Sequence, residues 1–208
     1  MQLEGYLRCC YTQGVRNEKF DRAYFERYYG AHPVHSVNEV AHLATAVHEM
    51  LAWWGAPLRS VLEVGAGPGD WSNWYRTLHP AVRVTSTDVS EHACATFGHE
   101  RRDIAQWAPK RPFDLVICTD VLQYLDDRAA TRALRNLTTA TRTCLYFDAL
   151  TSFDAKHTVD RSKTDFNVTL RTGEWYRQRL SRGFTQAGTG LWVRKGGRVV
   201  LHELERHR

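Results

Sequence analysis

The chain contains no apolar run approaching the roughly 20 residues that a membrane-spanning helix needs. Its opening stretch, Met1 to Cys10, carries charges and has no secretory-type apolar segment. Five cysteines are present, two of them adjacent at Cys9 and Cys10, and none stands in a C-x-x-C spacing of the kind that binds metal. Internal repeats and low-complexity segments are also missing. These absences exclude a spanning protein and a disulfide-stapled mini-domain, and they predict reduced thiols and a cytoplasmic location.

What is present fits one globular domain covering residues 1–208, long enough to bury a core without disulfides or structural metal. Seven tryptophans and nine tyrosines exceed what such a core requires, so some rings are expected at a surface or a site. The net charge of +5 raises an anionic partner. The arginines are scattered, however, and the densest patch, Arg171 to Arg182, falls on a predicted helix and reads as a solvated face. Basic residues interleaved with aromatics on one surface, which would favour nucleic acid, are not evident.

Hydrophobic spacing predicts a short helix over 20–29, ahead of the breaker segment Gly30-Ala31-His32-Pro33, and an amphipathic helix over 38–54 with Ser36 or Asn38 as its cap. An alternation follows: strand 60–65, helix 69–78, strand 82–87, helix 90–97, strand 100–103, strand 113–119, helix 127–140 and strand 143–148. Apolar, β-branched strands alternating with helices mean a parallel sheet covered on both faces. Residues 151–171 form a long irregular loop, a length usually reserved for function. A helix over 173–184 and two strands, 190–195 and 198–204, complete the pattern, with Lys195-Gly196-Gly197-Arg198 as the expected hairpin turn.

The first strand ends in three alternating glycines, Gly65-Ala66-Gly67-Pro68-Gly69. Glycine permits positive φ and lets another group approach the main chain, which a nucleotide-type ligand needs at the carboxyl end of a parallel strand. A dinucleotide fold asks for G-x-G-x-x-G, whereas here Asp70 stands where the last glycine would be. Four further features share that sheet edge. Glu63 lies inside an otherwise apolar strand and needs partners there. Asp88 ends the second strand, where an acid can accept both ribose hydroxyls. Asp103-Ile104 at the third strand end offers one acid near an adenine amino group and one apolar side chain near its ring. The fourth strand, Phe113 to Thr119, ends at Asp120, facing the same crevice.

With these residues in hand, the sequence resembles the class I SAM-dependent methyltransferases (SAM, S-adenosylmethionine) over roughly residues 38–206. The resemblance implies a Rossmann-like, doubly wound seven-stranded sheet of order 3-2-1-4-5-7-6 with the last strand antiparallel. It also implies a SAM site built from Glu63, Gly65, Ala66, Gly67, Gly69, Asp88, Val89, Asp103, Ile104 and Thr119. The Asn/Asp-Pro-Pro-aromatic motif of amino-methylating nucleic-acid enzymes is missing, since Thr119-Asp120-Val121-Leu122 occupies its place.

Methyl transfer from a sulfonium is an in-line displacement, so the protein positions two partners and controls the acceptor's proton. The expected acceptor is a small molecule, with oxygen favoured over nitrogen. RNA or protein methylation and non-catalytic SAM binding are the alternatives. Asp120 is a candidate catalytic group, or else a cap for a helix beginning near Val121. Together with Asp148, at the end of strand five, it offers oxygen ligands for Mg²⁺, a minority expectation. His157, in the long loop, has the unperturbed pKa of a general base, or is simply exposed. Residues 1–36 are read as a helical lid, with Tyr24, Tyr28 and Tyr29 either closing over the site or packing on the sheet. Tyr24 and Tyr28 are the substrate-contact candidates. Trp71 divides between packing and stacking near the cofactor, and the histidines 32, 35, 42 and 48 carry no metal assignment.

Overall fold

Each helix begins where a side chain can satisfy its orphan amides. The computed structural model describes residues 19–31 and 33–202. Helix α1 (Arg22–Tyr29) starts after Asp21, whose carboxylate accepts from Tyr24 N. Helix α2 (Val37–Trp53) has a full capping box, in which Ser36 Oγ accepts from Glu39 N and Glu39 accepts from Ser36 N. Ser90, Asp126 and Thr172 cap α4 (Glu91–Phe97), α5 (Asp127–Ala140) and α7 (Gly173–Leu180) in the same way. Two helices remain: α3 (Asp70–Leu78), which follows the glycine loop, and the single turn α6 (Asp154–His157).

Seven strands form one sheet: β1 (Ser60–Val64), β2 (Arg83–Asp88), β3 (Glu100–Arg101), β4 (Phe113–Thr119), β5 (Thr141–Asp148), β6 (Phe184–Gly188) and β7 (Leu191–Arg194). Their spatial order is 3-2-1-4-5-7-6. The β1–β5 pairings are parallel, and β7 runs antiparallel to both neighbours, as the resemblance implied. Alternate side chains serve opposite faces. Leu62, Val64, Val116 and Leu145 pack with the alanines and leucines of α5 and with Leu180 of α7. Val61, Leu115, Ile117 and Cys144 pack with Val47 and Leu51 of α2 and with Trp71 and Tyr75 of α3. Burial on both faces is what selects the parallel, doubly wound arrangement. Among the described residues no helix is long and apolar enough to cross a membrane.

The carboxyl-terminal hairpin differs from expectation. The helix stops at Leu180, and β7 turns back on β6 through Gly188-Thr189-Gly190, all three at positive φ. Residues 198–202 lie in no strand. Phe184 is fully buried and anchors β6 beside β7, whose Leu191, Trp192 and Val193 are buried against the sheet. Both glycine segments favour turns, and the buried Phe184 decides between them. The predicted third strand also shortens, leaving Asp103 and Ile104 just beyond it. Cys9, Cys10, His32, residues 203–204 of the expected last strand and the lid segment before residue 19 lie outside the described residues.

Candidate active site

The carboxyl ends of the parallel strands open on one crevice, and the glycine loop forms its floor. Gly65, Gly67 and Gly69 have φ of 65°, 56° and 82°, a region that side-chain-bearing residues avoid. A Cβ on Gly65 would also run into the Val121 methyl. The loop is held by its own amides: Ala66 N donates to Thr87 O (3.0 Å) and Gly67 N to Asp88 Oδ2 (2.9 Å). Ser90 N donates to Asp88 Oδ1 at 2.8 Å, so this carboxylate ties the loop to the start of α4. Buried His99 braces the other side, with its ring nitrogens 2.8 Å from Ser86 Oγ and 3.0 Å from Gly67 O.

Glu63 is buried, and its Oε2 accepts from Ser72 N at 3.0 Å and from Ser72 Oγ. Burial pushes its carboxyl up to about 7, against the pull of those hydrogen bonds. The partners it needed inside the strand are thus the first turn of α3. Asp103 is engaged locally as well, accepting from Ala105 N and Gln106 Nε2 at 2.8 Å each.

Two cavities adjoin here. The smaller, about 70 Å³, has Gly65, Gly67, Asp88, Val89, Asp103 and Ile104 on its wall, under Phe20, Phe25 and Tyr29. The larger, about 390 Å³, is walled by Glu63, Ala66, Thr119, Asp148, Tyr28 and the loop residues Asp154, Thr158, Val159, Lys163, Thr164 and Asp165. Gly65, Tyr24, Tyr29, Asp120 and Tyr124 belong to both walls. The structure therefore gathers the expected site residues, with two exceptions. Gly69 starts α3 without lining either cavity, and His157 stands outside both, exposed and with its ring 4.6 Å from that of Phe153. His35, set aside on sequence, lines the larger cavity.

Asp120 is not a helix cap. It takes φ 57°, and its Oδ1 accepts from the Gln123 side chain (2.9 Å) rather than from a backbone amide. Its N donates to Asp148 O at 3.2 Å. Asp148 has its carboxyl raised by burial and then by the charge of Asp120. Among the described residues no third His, Cys, Asp or Glu joins this pair to form a metal-holding group.

The segment 19–29 and the 151–171 loop meet over the site. Tyr24 Oη lies 2.7 Å from Tyr124 Oη, and burial raises both phenols well above their usual range. Lys19 Nζ sits 4.5 Å from the Tyr124 ring and 3.0 Å from Asp165 Oδ2. The 151–171 loop is closed by a bridge between Thr151 and Arg171. Arg171 is buried and donates to Leu122 O (3.0 Å), Leu125 O (2.5 Å) and Asp127 Oδ1 (2.8 Å). Gln123 completes the frame, accepting from Leu150 N through its side chain and from Thr169 N through its carbonyl. Sequence reasoning passed over His99, Ser72, Gln123 and Tyr124, and it read Arg171 as part of a solvated helical face, whereas Arg171 is buried and precedes the helix, held by the carbonyls it serves. Only the placement of Gln123 and Tyr124 just after a strand-end acid was a usable signal, because the partners of the others depend on tertiary contacts.

The family described as methyltransferase domain matches residues 34–181. Among solved structures, the fold is similar to magnesium protoporphyrin IX methyltransferase ChlM from Synechocystis PCC 6803 with bound SAM. The TM-score is 0.56 at 21% identity, covering 88% of this chain and 97% of that one. It is also similar to N-methyltransferase NodS from Bradyrhizobium japonicum WM9 in complex with S-adenosyl-L-homocysteine (SAH), with TM-score 0.52, 18% identity and coverage of 76% and 87%. A third is the plantazolicin methyltransferase BpumL in complex with SAH, with TM-score 0.56, 14% identity and coverage of 70% and 63%. At these identities the likeness is one of fold. No curated protein matches the sequence.

Proposed function

The chain belongs to the class I SAM-dependent methyltransferase family, and from that premise we propose that it methylates a small-molecule acceptor held in the larger cavity. The observation that carries the proposal is the junction of the two cavities at Gly65, Asp120, Tyr24 and Tyr124. One side has bare, positive-φ backbone and a strand-end carboxylate suited to a nucleoside. The other is a roomy pocket lined by rings and acids.

When bound, SAM supplies an activated methyl group on a sulfonium, and the chain's own residues do the rest. Asp88 and the glycine loop would hold the ribose side of the donor, Val89 and Ile104 would flank its base, and Glu63 and Ala66 would border its amino-acid end. The glycine cradle fits such a group, since Gly65 and Gly67 present positive-φ backbone to the smaller cavity, and a Cβ on Gly67 would stand 3.6 Å from the Tyr29 ring that covers it. Helix α1 and the 151–171 loop exclude water from the junction, as lids do. In-line displacement then depends mainly on positioning, for which the Asp120–Gln123 and Tyr24–Tyr124 contacts fix the wall. His157 has no part in this reading, and a two-carboxylate site without a third ligand is a poor fit for Mg²⁺.

The proposal is tested by incubating the protein with methyl-labelled SAM and a size-fractionated cell extract. Label is expected in the small-molecule fraction. Label confined to RNA or protein, or no transfer in any fraction, would overturn it.

A further inference from the structure

We infer that the acceptor is an organic amine, seated with its ammonium against Asp120 and Asp148 beneath the tyrosine rings; this rests on the methyl-transfer reading above.

The chain carries a net charge of +5, yet the larger cavity is acidic. Six carboxylates reach its wall, against Lys163 and His35. Three of the six already have partners. Glu63 is held by Ser72, while Asp70 stands in the first turn of α3, where the helix N-terminus favours its charge. Asp154 accepts from Thr151 and Thr158, and Asp165 has Lys19 as its counter-ion.

Asp120 and Asp148 differ from these. They end neighbouring strands, with Thr119 and Asp148 in register, and both are exposed to the cavity. Each has one oxygen engaged, Asp120 Oδ1 by Gln123 Nε2 and Asp148 Oδ1 by Ala149 N. Among the described residues the second oxygen of each has no hydrogen-bond donor and no cation at ion-pair distance. Two like charges held together by the main chain favour a cation between them.

The same space supplies a second and independent attraction for a cation. Tyr24, Tyr28, Tyr29 and Tyr124 all line it; Lys19 already sits over Tyr124 and Arg27 over Tyr28, which leaves Tyr24 and Tyr29 as the rings whose faces can attract an organic ammonium group. Rings are poor neighbours for a hydrated divalent ion, which asks for more oxygen ligands than this pair provides. A carboxylate or phosphate acceptor would be repelled, and a neutral hydroxyl would leave a six-carboxylate wall balanced only by His35 and Lys163. On this inference the acceptor atom is nitrogen rather than the oxygen favoured on sequence.

The chemistry balances. Asp148 takes one proton from the ammonium, and the freed nitrogen lone pair forms the N–C bond to the methyl carbon. The C–S bond breaks with its electron pair retained by sulfur, leaving an N-methylated ammonium and a neutral thioether. Asp148 then returns its proton to water. The raised carboxyl of Asp148 suits it to accept that proton.

The test uses three probes of one shape, 2-phenylethylamine, 2-phenylethanol and 3-phenylpropionate, titrated into the protein saturated with SAH. The amine is expected to bind at least about tenfold more tightly than either counterpart. Asp148→Asn should abolish that preference while leaving SAH affinity unchanged, and Asp148→Glu should restore part of it. Equal affinity for the three, preference for the alcohol or acid, no binding of the amine, or a preference that survives Asp148→Asn would overturn the inference. Loss of SAH binding by the wild-type protein would instead strike the methyl-transfer reading on which it rests.

Discussion

On the side of the crevice proposed for the donor, the polar groups are tied mostly to main-chain amides: Asp88 to Gly67 and Ser90, Glu63 to Ser72, and Asp103 to Ala105, with the Gln106 side chain beside it. On the acceptor side the ties span the molecule. Tyr24 meets Tyr124, Lys19 meets Asp165, and Arg171 reaches back to the carbonyls of Leu122 and Leu125. Backbone amides and strand ends thus form the donor half, and the sheet positions them directly. Three separate segments converge to form the acceptor half, and each can change without disturbing the sheet. A fold that keeps one donor while varying its acceptor is expected to divide its site in this way.

The comparison breaks most sharply at Gly65. In Gly65→Ala, the Cβ meets Val121 and the residue is forced to a positive φ, a cost on the order of 3 kcal/mol. SAH affinity measured by calorimetry is expected to fall by about a hundredfold. Adding Val121→Ala should recover only part, because the backbone strain remains. Normal SAH binding by Gly65→Ala would show that the donor half does not depend on bare backbone.

Arg171 makes the converse case. Arg171→Met leaves two buried carbonyls without their donor, and the loss of stability in denaturant is expected to be about 2–3 kcal/mol. The folded variant should still bind SAH within about twofold of wild type, since additivity holds for sites without shared partners. An equal loss on both sides would mean that the halves are not separately held.

Glu63 gives an effect that is spread over pH. Its folded carboxyl lies near 7, above the ordinary 4.5. In that window the folded protein holds a proton that the unfolded chain releases. The stabilisation is complete below pH 4.5 and is lost as pH rises through about 7, on the order of 3 kcal/mol over the whole range. Glu63→Gln should remove this slope, so that wild type loses stability relative to the variant between pH 5 and 8 in parallel melts. A slope retained in the variant would assign the pH dependence elsewhere.

The same division governs how much was legible in the sequence. The donor half could be read because its signals are short-range: a buried strand, positive-φ glycines, and acids at successive strand ends. The β1–β5 alternation was readable for the same reason, since period and burial are local properties. The final hairpin was not, because Gly188-Thr189-Gly190 and Lys195-Gly196-Gly197-Arg198 are both turn-formers, and the buried Phe184 chooses between them. Asp120 showed as a strand-end acid, but its positive φ and its bond to Gln123 belong to the turn into the single helical turn Leu122–Tyr124, which the residue types alone do not specify. His157 carried the right chemistry on a loop whose course is set by Arg171, and that course leaves it outside the cavities.

The most direct test of the account is calorimetric titration of SAH into the wild-type protein and into Asp88→Ala. Among the described residues Asp88 both holds the glycine loop and lines the smaller cavity. The account predicts one site in the wild type and an affinity about a hundredfold weaker in the variant, in line with the loss of charge-assisted hydrogen bonds. No binding by the folded wild-type protein, or equal binding by both proteins, would contradict it.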